Sequence, residues 1–154
     1  EDLKLMLQTK EFSWDIVDYN KFSIKEVIKR ELGSSEVVYL SVWGVWCLPC
    51  KKDHNDYNLI MLEKLEKMGV QIINVCISSD LLKWKKHLEK NRIPGLQYFA
   101  NSIAKDELKQ LLNHDLSSPF PIPRYAIFEN GNQCSNKNAP RPNAILDYLR
   151  GLQK

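Results

Sequence analysis

Two cysteines separated by two residues, Cys47 and Cys50 in Trp46-Cys47-Leu48-Pro49-Cys50, are the side chains best suited to chemistry. Spaced three apart on a helix, they share one face at neighbouring positions, within the Cα separations a disulfide tolerates. Such a pair can close to a disulfide and open again by thiolate exchange. At a helix N-terminus, Cys47 would meet unpaired backbone N–H groups and the positive end of the helix dipole, which favour a thiolate over a thiol. Cys47 is therefore assigned as the attacking nucleophile, and Cys50, one turn in and less exposed, as the resolving thiol. Pro49 suits the first turn, where its missing N–H costs nothing. Trp46 is expected to shield the nucleophilic sulfur and touch substrate, whereas Trp43 belongs to the core. Leu48 carries no charge that would hold a thiolate strongly, which points to a reductant of moderately low potential.

Other chemistry is compatible with the same pair. A C-x-x-C is half of a zinc site, but Cys76, Cys134 and His54 supply no second paired motif for a four-ligand centre. A purely structural disulfide would close too short a loop to constrain the unfolded chain much. Dithiol exchange leads, and the alternative is a copper or zinc handling module using Cys47, Cys50 and His54. A thiol peroxidase would need Thr or Ser and Arg around a peroxidatic cysteine, and a non-catalytic interaction domain would tolerate loss of Cys47. Cys76, in an apolar stretch, reads as a small core residue, and Cys134 as incidental. His54, His87 and His114 sit among polar residues and are expected to face solvent.

The whole chain sets bounds on these readings. Its 154 residues suit one domain, residues 1–154, with residues 1–10 read as a linker from a removed signal, anchor or upstream domain. Hydrophobic residues at 44% and charged residues at 27% are those of a folded globular protein rather than a disordered one. The net charge is +3, but the 22 basic residues are interleaved with 19 acidic ones, so no face for nucleic acid is expected. No apolar run is long enough to span a bilayer, so no membrane contact by this domain is expected.

The elements that must position the dithiol follow from periodicity. Phe12 to Val17 alternates as a short strand, with a turn at Asp18-Tyr19-Asn20. Ser23-Ile24-Lys25-Glu26 has the capping-box spacing of a helix start, and Gly33 is its expected end. Val37 to Trp43 is rich in β-branched and aromatic residues, as in a central strand covered on both faces, and leads directly into Cys47. Tyr57, Ile60, Met61, Leu65 and Met68 recur at helical spacing, which predicts one long helix over 49–68, stopped by Gly69. Val70 to Ile77 reads as a second buried strand, completing a β-α-β unit. Ser79 or Asp80 caps a helix to about Asn91, with Leu81, Trp84 and Leu88 on one face. Gly95 to Ala100 reads as a strand, and Ser102 to Asn113 as a helix with Ile103, Leu108, Leu111 and Leu112 inward. After the loop Ser117 to Pro123, Arg124 to Glu129 and Asn130-Gly131 predict a hairpin returning through Cys134. A last helix carries Ile145, Leu149 and Leu152.

Residues 38–50, Val-Tyr-Leu-Ser-Val-Trp-Gly-Val-Trp-Cys-Leu-Pro-Cys, resemble the strand and active-site turn of thioredoxins, especially the TlpA/ResA-like extracytoplasmic branch. Ile122-Pro123-Arg124-Tyr125-Ala126-Ile127-Phe128 before Asn130-Gly131 resembles that family's Ile-Pro segment. The resemblance runs from about residue 10 to the C-terminus. It implies an α/β thioredoxin-like fold, a central mixed β-sheet flanked by helices, with the insertion of this branch between Ile77 and Pro123. Trp84 and Ala139-Pro140-Arg141-Pro142-Asn143 resemble homologues from Bacteroidetes.

The same resemblance implies a cis Ile122-Pro123 bond facing the dithiol, its backbone pairing with a substrate strand. Asp53 matches a position where ResA-like proteins carry a Glu that tunes thiol acidity. It is expected either to take the Cys50 proton through water or to lie exposed in the first turn as a complement to the dipole. Ser41 stands where thioredoxins bury an acid, and it cannot titrate usefully. The resemblance further implies a protein-disulfide reductase needing no cofactor beyond the Cys47–Cys50 disulfide. Its expected partners are cysteine-containing protein substrates, such as apocytochromes or metallochaperones, and an upstream thiol electron donor. A monomer in the periplasm, or tethered to a membrane and facing it, is expected.

Overall fold

A computed structural model describes residues 14–16, 23–77, 80–130, 132–133 and 138–152. The expectations for residues 1–10, the Asp18-Tyr19-Asn20 turn, Ser79, Gly131 and Cys134, and for the Leu152 side chain, lie outside the described residues.

The elements run β1 (Trp14–Ile16), α1 (Ile24–Leu32), β2 (Val37–Trp43), α2 (Leu48–Asn55), α3 (Leu59–Lys67), β3 (Val70–Cys76), α4 (Leu81–Lys90), β4 (Leu96–Phe99), α5 (Ser102–Leu111), β5 (Arg124–Glu129), β6 (Asn132–Gln133) and α6 (Pro142–Leu152). They form a six-stranded mixed sheet in the order β1-β4-β3-β2-β5-β6. The pairs β1/β4, β4/β3 and β3/β2 are parallel, while β2/β5 and β5/β6 are antiparallel. This is a thioredoxin-like arrangement, as the resemblance implies. The stretch between β3 and β5 is built as helix, strand and helix.

Strand alternation sorts the core. Val38, Leu40 and Val42 point to one face of β2, where they pack with Ile24, Val27 and Ile28 of α1 and Ala104 and Leu108 of α5. Tyr39 points to the other, with Leu65 of α3 and Ile145 and Leu149 of α6. At the C-terminal end of the strands, Trp43 joins Cys47, Cys50, Cys76, Trp84, Leu88 and Ile93 in a separate apolar cluster. The dithiol thus sits on the end of a buried central strand, roofed by α4.

Local capping explains most boundaries. The Ser23 hydroxyl accepts from the Glu26 N–H, and Asp80 accepts from the Leu82 and Lys83 N–H groups. Gly33 ends α1, but in a right-handed conformation with φ −69° rather than a left-handed one. The single helix expected over 49–68 is two helices. Asn58 adopts an extended conformation and caps α3, its side chain accepting from the Met61 N–H, and the break lets Tyr57 turn inward and become buried. Ile103, expected inward, is half exposed, and Ala104 takes the buried position instead. Gly95 has φ +100°, and a Cβ there would lie 2.5 Å from the Ile72 carbonyl oxygen, so only glycine admits the approach of β4 to β3.

Candidate active site

Cys47 and Cys50 form a disulfide with Cα atoms 5.3 Å apart. Cys47 is the N-cap of α2, in extended conformation, and its Sγ accepts from the Cys50 N–H at 3.2 Å. That donor and the dipole of the helix behind it favour negative charge on the Cys47 sulfur. Pro49 sits in the first turn, as expected. Both cysteines are buried, Cys50 completely. Around them Trp46 is 63% exposed and Leu48 74% exposed, so a large apolar surface borders the disulfide.

The bond Ile122-Pro123 is cis. Ile122 packs against the cluster that holds both cysteines, and a Cβ on Gly44 would meet both the Ile122 side chain and the Trp46 Nε1 at 3.1 Å. Gly44 therefore keeps the strand end open where Trp46 and the Ile122-Pro123 segment approach. Ser41, on β2, is buried, and its hydroxyl has no hydrogen-bond partner among the described residues.

Burial excludes one of the two sequence readings of Asp53. The residue is fully buried, so it is not an exposed first-turn carboxylate. Its oxygens are held by Arg141, whose Nε donates at 2.9 and 3.0 Å and whose Nη2 lies at 2.8 Å, and by the Tyr125 hydroxyl, which donates at 2.5 Å. Arg141 Nη2 also donates to the Pro49 carbonyl at 3.4 Å. The hydrogen bond to Asp53, followed by its charge, holds the Arg141 guanidinium above its ordinary value. Tyr125 stacks on Tyr39 with centroids 5.4 Å apart, and the Tyr39 hydroxyl donates to the Pro140 carbonyl. Burial pushes both phenols far up, so both stay protonated. The segment ahead of α6 is thereby bolted to the active-site helix.

The histidines also differ from expectation. His54 is buried because, four residues after Cys50, it falls on the inward face of α2, edge-on to Trp43 with centroids 4.8 Å apart. His87, on α4, is half-buried and lies 5.5 Å from the same indole. His114 is partly buried, with Nε2 3.0 Å from the Pro119 carbonyl. Among the described residues neither ring nitrogen of His54 has a hydrogen-bond partner. Burial first, and then His87, push the His54 imidazole down to about 3. Near the dithiol, sequence reasoning gave Arg141 no role and turned His54, like His87, to solvent instead of against Trp43. The i, i+4 spacing of Cys50 and His54 was a usable signal for His54.

The His54 shift has a signed consequence for stability. Below the ordinary imidazole value of about 6.5 the unfolded chain binds a proton at His54 that the folded chain refuses until about pH 3. Stability is therefore fully present above that upper value and falls as the pH drops through the window, by up to about 1.4 kcal/mol per pH unit. Denaturant titrations between about pH 7 and pH 4 should show this slope, shallower in His54→Phe; parallel slopes would contradict it.

Cys76 is buried beside Trp43, its thiol directed at the Ile77 carbonyl 3.9 Å away. Among the described residues no group of three or more His, Cys, Asp or Glu side chains is placed to hold a metal ion. No helix among them is long and apolar enough to cross a membrane.

A thioredoxin fold with a vicinal cysteine pair at the N-terminus of the helix after its central strand defines a redox-active class of protein. The Redoxin family profile matches residues 23–143, and the chain belongs to that family. It is 31% identical over 94 residues to the thiol-disulfide oxidoreductase ResA of Geobacillus thermodenitrificans, a match covering 61% of this chain and 49% of the relative. The chain spans about half the length of the curated relatives it matches. Among solved structures, a thiol:disulfide interchange protein from a Bacteroides species superposes with a TM-score of 0.59 at 16% identity, covering 79% of this chain and 75% of that one. The thioredoxin domain of a thiol-disulfide oxidoreductase from Bacteroides vulgatus gives 0.56 at 17% identity, covering 79% and 81%. The TlpA/ResA-like resemblance of residues 38–50 is thus matched by both the family and the fold.

Proposed function

We propose that the chain is a thiol-disulfide oxidoreductase that reduces disulfides of protein substrates. The observation that carries this reading is the seat of Cys47, whose sulfur caps α2 and accepts the Cys50 N–H while bonded to Cys50. In the reduced protein the Cys47 thiolate attacks one sulfur of a substrate disulfide, forming a mixed disulfide and releasing the first substrate thiolate. Cys50 then attacks Cys47, its proton departs, and the second substrate sulfur leaves as a thiolate that takes up a proton. Two electrons have moved to the substrate and the Cys47–Cys50 disulfide has closed, so the sulfurs themselves carry the redox change and no cofactor is called for.

Exposed Trp46 and Leu48 provide an apolar landing for the substrate chain, and the Ile122-Pro123 backbone serves as its pairing edge. Leu48, uncharged, suits a reductant, which in turn requires an upstream thiol donor. The resemblance to the TlpA/ResA branch supports an extracytoplasmic setting, with thiol proteins such as apocytochromes among the partners. To test the activity, the reduced full chain is mixed with a disulfide-bonded protein and thiols are alkylated at intervals. Substrate thiols should appear as Cys47 and Cys50 become protected from alkylation; no transfer would sink the reading.

A further inference from the structure

Reduction of the Cys47–Cys50 bond creates a thiol at Cys50 in a place from which water is excluded. A buried S–H is a weak donor that gains from an acceptor. Asp53 does not supply one, since its oxygens are taken by Arg141 and Tyr125. His54 lies one turn after Cys50 on the same helix, at the i, i+4 spacing that makes side chains neighbours. Helical side chains lean back over the preceding turn, which carries the imidazole toward Cys50 rather than away from it. Trp43 links their surroundings, being edge-on to the His54 ring and a member of the apolar cluster that holds Cys50.

In the disulfide state both His54 ring nitrogens are buried without partners among the described residues. A neutral imidazole always carries one acceptor nitrogen, and leaving it unpaired in the interior costs free energy. We propose that His54 accepts a hydrogen bond from the Cys50 thiol in the reduced protein, so that opening the disulfide satisfies a nitrogen that the closed form leaves orphaned. His54 is then a positioning residue that holds the resolving thiol in place and favours the dithiol form. The linked reaction with glutathione balances: the Cys47–Cys50 bond breaks, two glutathione thiols join as a disulfide, and their two protons pass to the Cys47 and Cys50 sulfurs. The proton on Cys50 is the one His54 engages. Burial first, and then His87 on α4, whose own cationic form is disfavoured by burial and next by Lys51, keep His54 neutral and its acceptor available.

The inference rests on the reversible dithiol chemistry proposed above, and one experiment separates the two. The full chain and its His54→Phe and His54→Gln variants are equilibrated across a graded glutathione series, and thiols are trapped by alkylation. Phe, with no acceptor, should shift the equilibrium about threefold to tenfold toward the disulfide, a potential lower by up to about 30 mV. Gln, which keeps a side-chain acceptor, should recover part of that shift. An unchanged constant in Phe, or equal shifts in Phe and Gln, would overturn the hydrogen bond. A wild-type protein that never reaches a reversible equilibrium would instead overturn the dithiol reading itself. Nitrogen NMR of the wild-type imidazole, which needs no variant to fold, should show one His54 ring nitrogen moving on reduction; two unmoved nitrogens would also overturn the proposal.

Discussion

A Cys50→Ser protein is expected to accumulate a covalent one-to-one adduct with a disulfide-bonded substrate, while its turnover falls to the background rate of uncatalysed exchange. Cys47, at the helix N-cap with the Cys50 N–H on its sulfur, is placed to attack, and Cys50, with no exposed surface, is placed only to resolve. Serine in place of Cys50 leaves the first step intact and removes the second. Cys47→Ser should give neither adduct nor turnover. Non-reducing electrophoresis distinguishes the two, and dithiothreitol should dissolve the adduct. An adduct formed by Cys47→Ser and not by Cys50→Ser would reverse the assigned roles.

Cutting Arg141 back to alanine should lower stability by about 2–3 kcal/mol, less than loss of a fully buried pair because the guanidinium is 46% exposed. The loss arises because Asp53 remains buried with, among the described residues, the Tyr125 hydroxyl alone to serve its charge. For a chain of this size the midpoint of thermal unfolding should fall by roughly 5–10 °C. Adding Asp53→Asn to Arg141→Ala removes the stranded charge and should recover part of the loss. A double-mutant cycle would then give a favourable coupling between the two residues. Arg141→Ala within about 0.5 kcal/mol of the parent protein would contradict the role given to this pair.

The parts of the site that were legible in the sequence are those written in local pattern. Val37 to Trp43 reads as a buried strand because its residues are apolar on both faces, and it leads without interruption to Cys47, so strand and dithiol could be placed together. The cis Ile122-Pro123 bond was reached through the resemblance alone, since an ordinary proline looks the same by spacing. The break at Tyr57 was hidden because Ile60, Met61 and Leu65 continue the helical period past it. Asn58, an acceptor three residues before the Met61 N–H, was the one available sign. His54 was misplaced because polar neighbours, Asp53 and Asn55, outweighed its spacing from Cys50. Asp53 could not be paired with Arg141 from local pattern, because 88 residues separate them and only the folded sheet brings the segment before α6 onto α2.

The central claim, that Cys47 and Cys50 form a reversible couple that donates electrons, is tested most directly by the equilibrium potential of the pair. Thiol trapping of the full chain across a graded glutathione or dithiothreitol series should give a single two-electron transition near that of thioredoxin, about −270 mV. A transition near −120 mV would contradict the reductant, and the absence of a reversible disulfide at any poise would contradict the oxidoreductase.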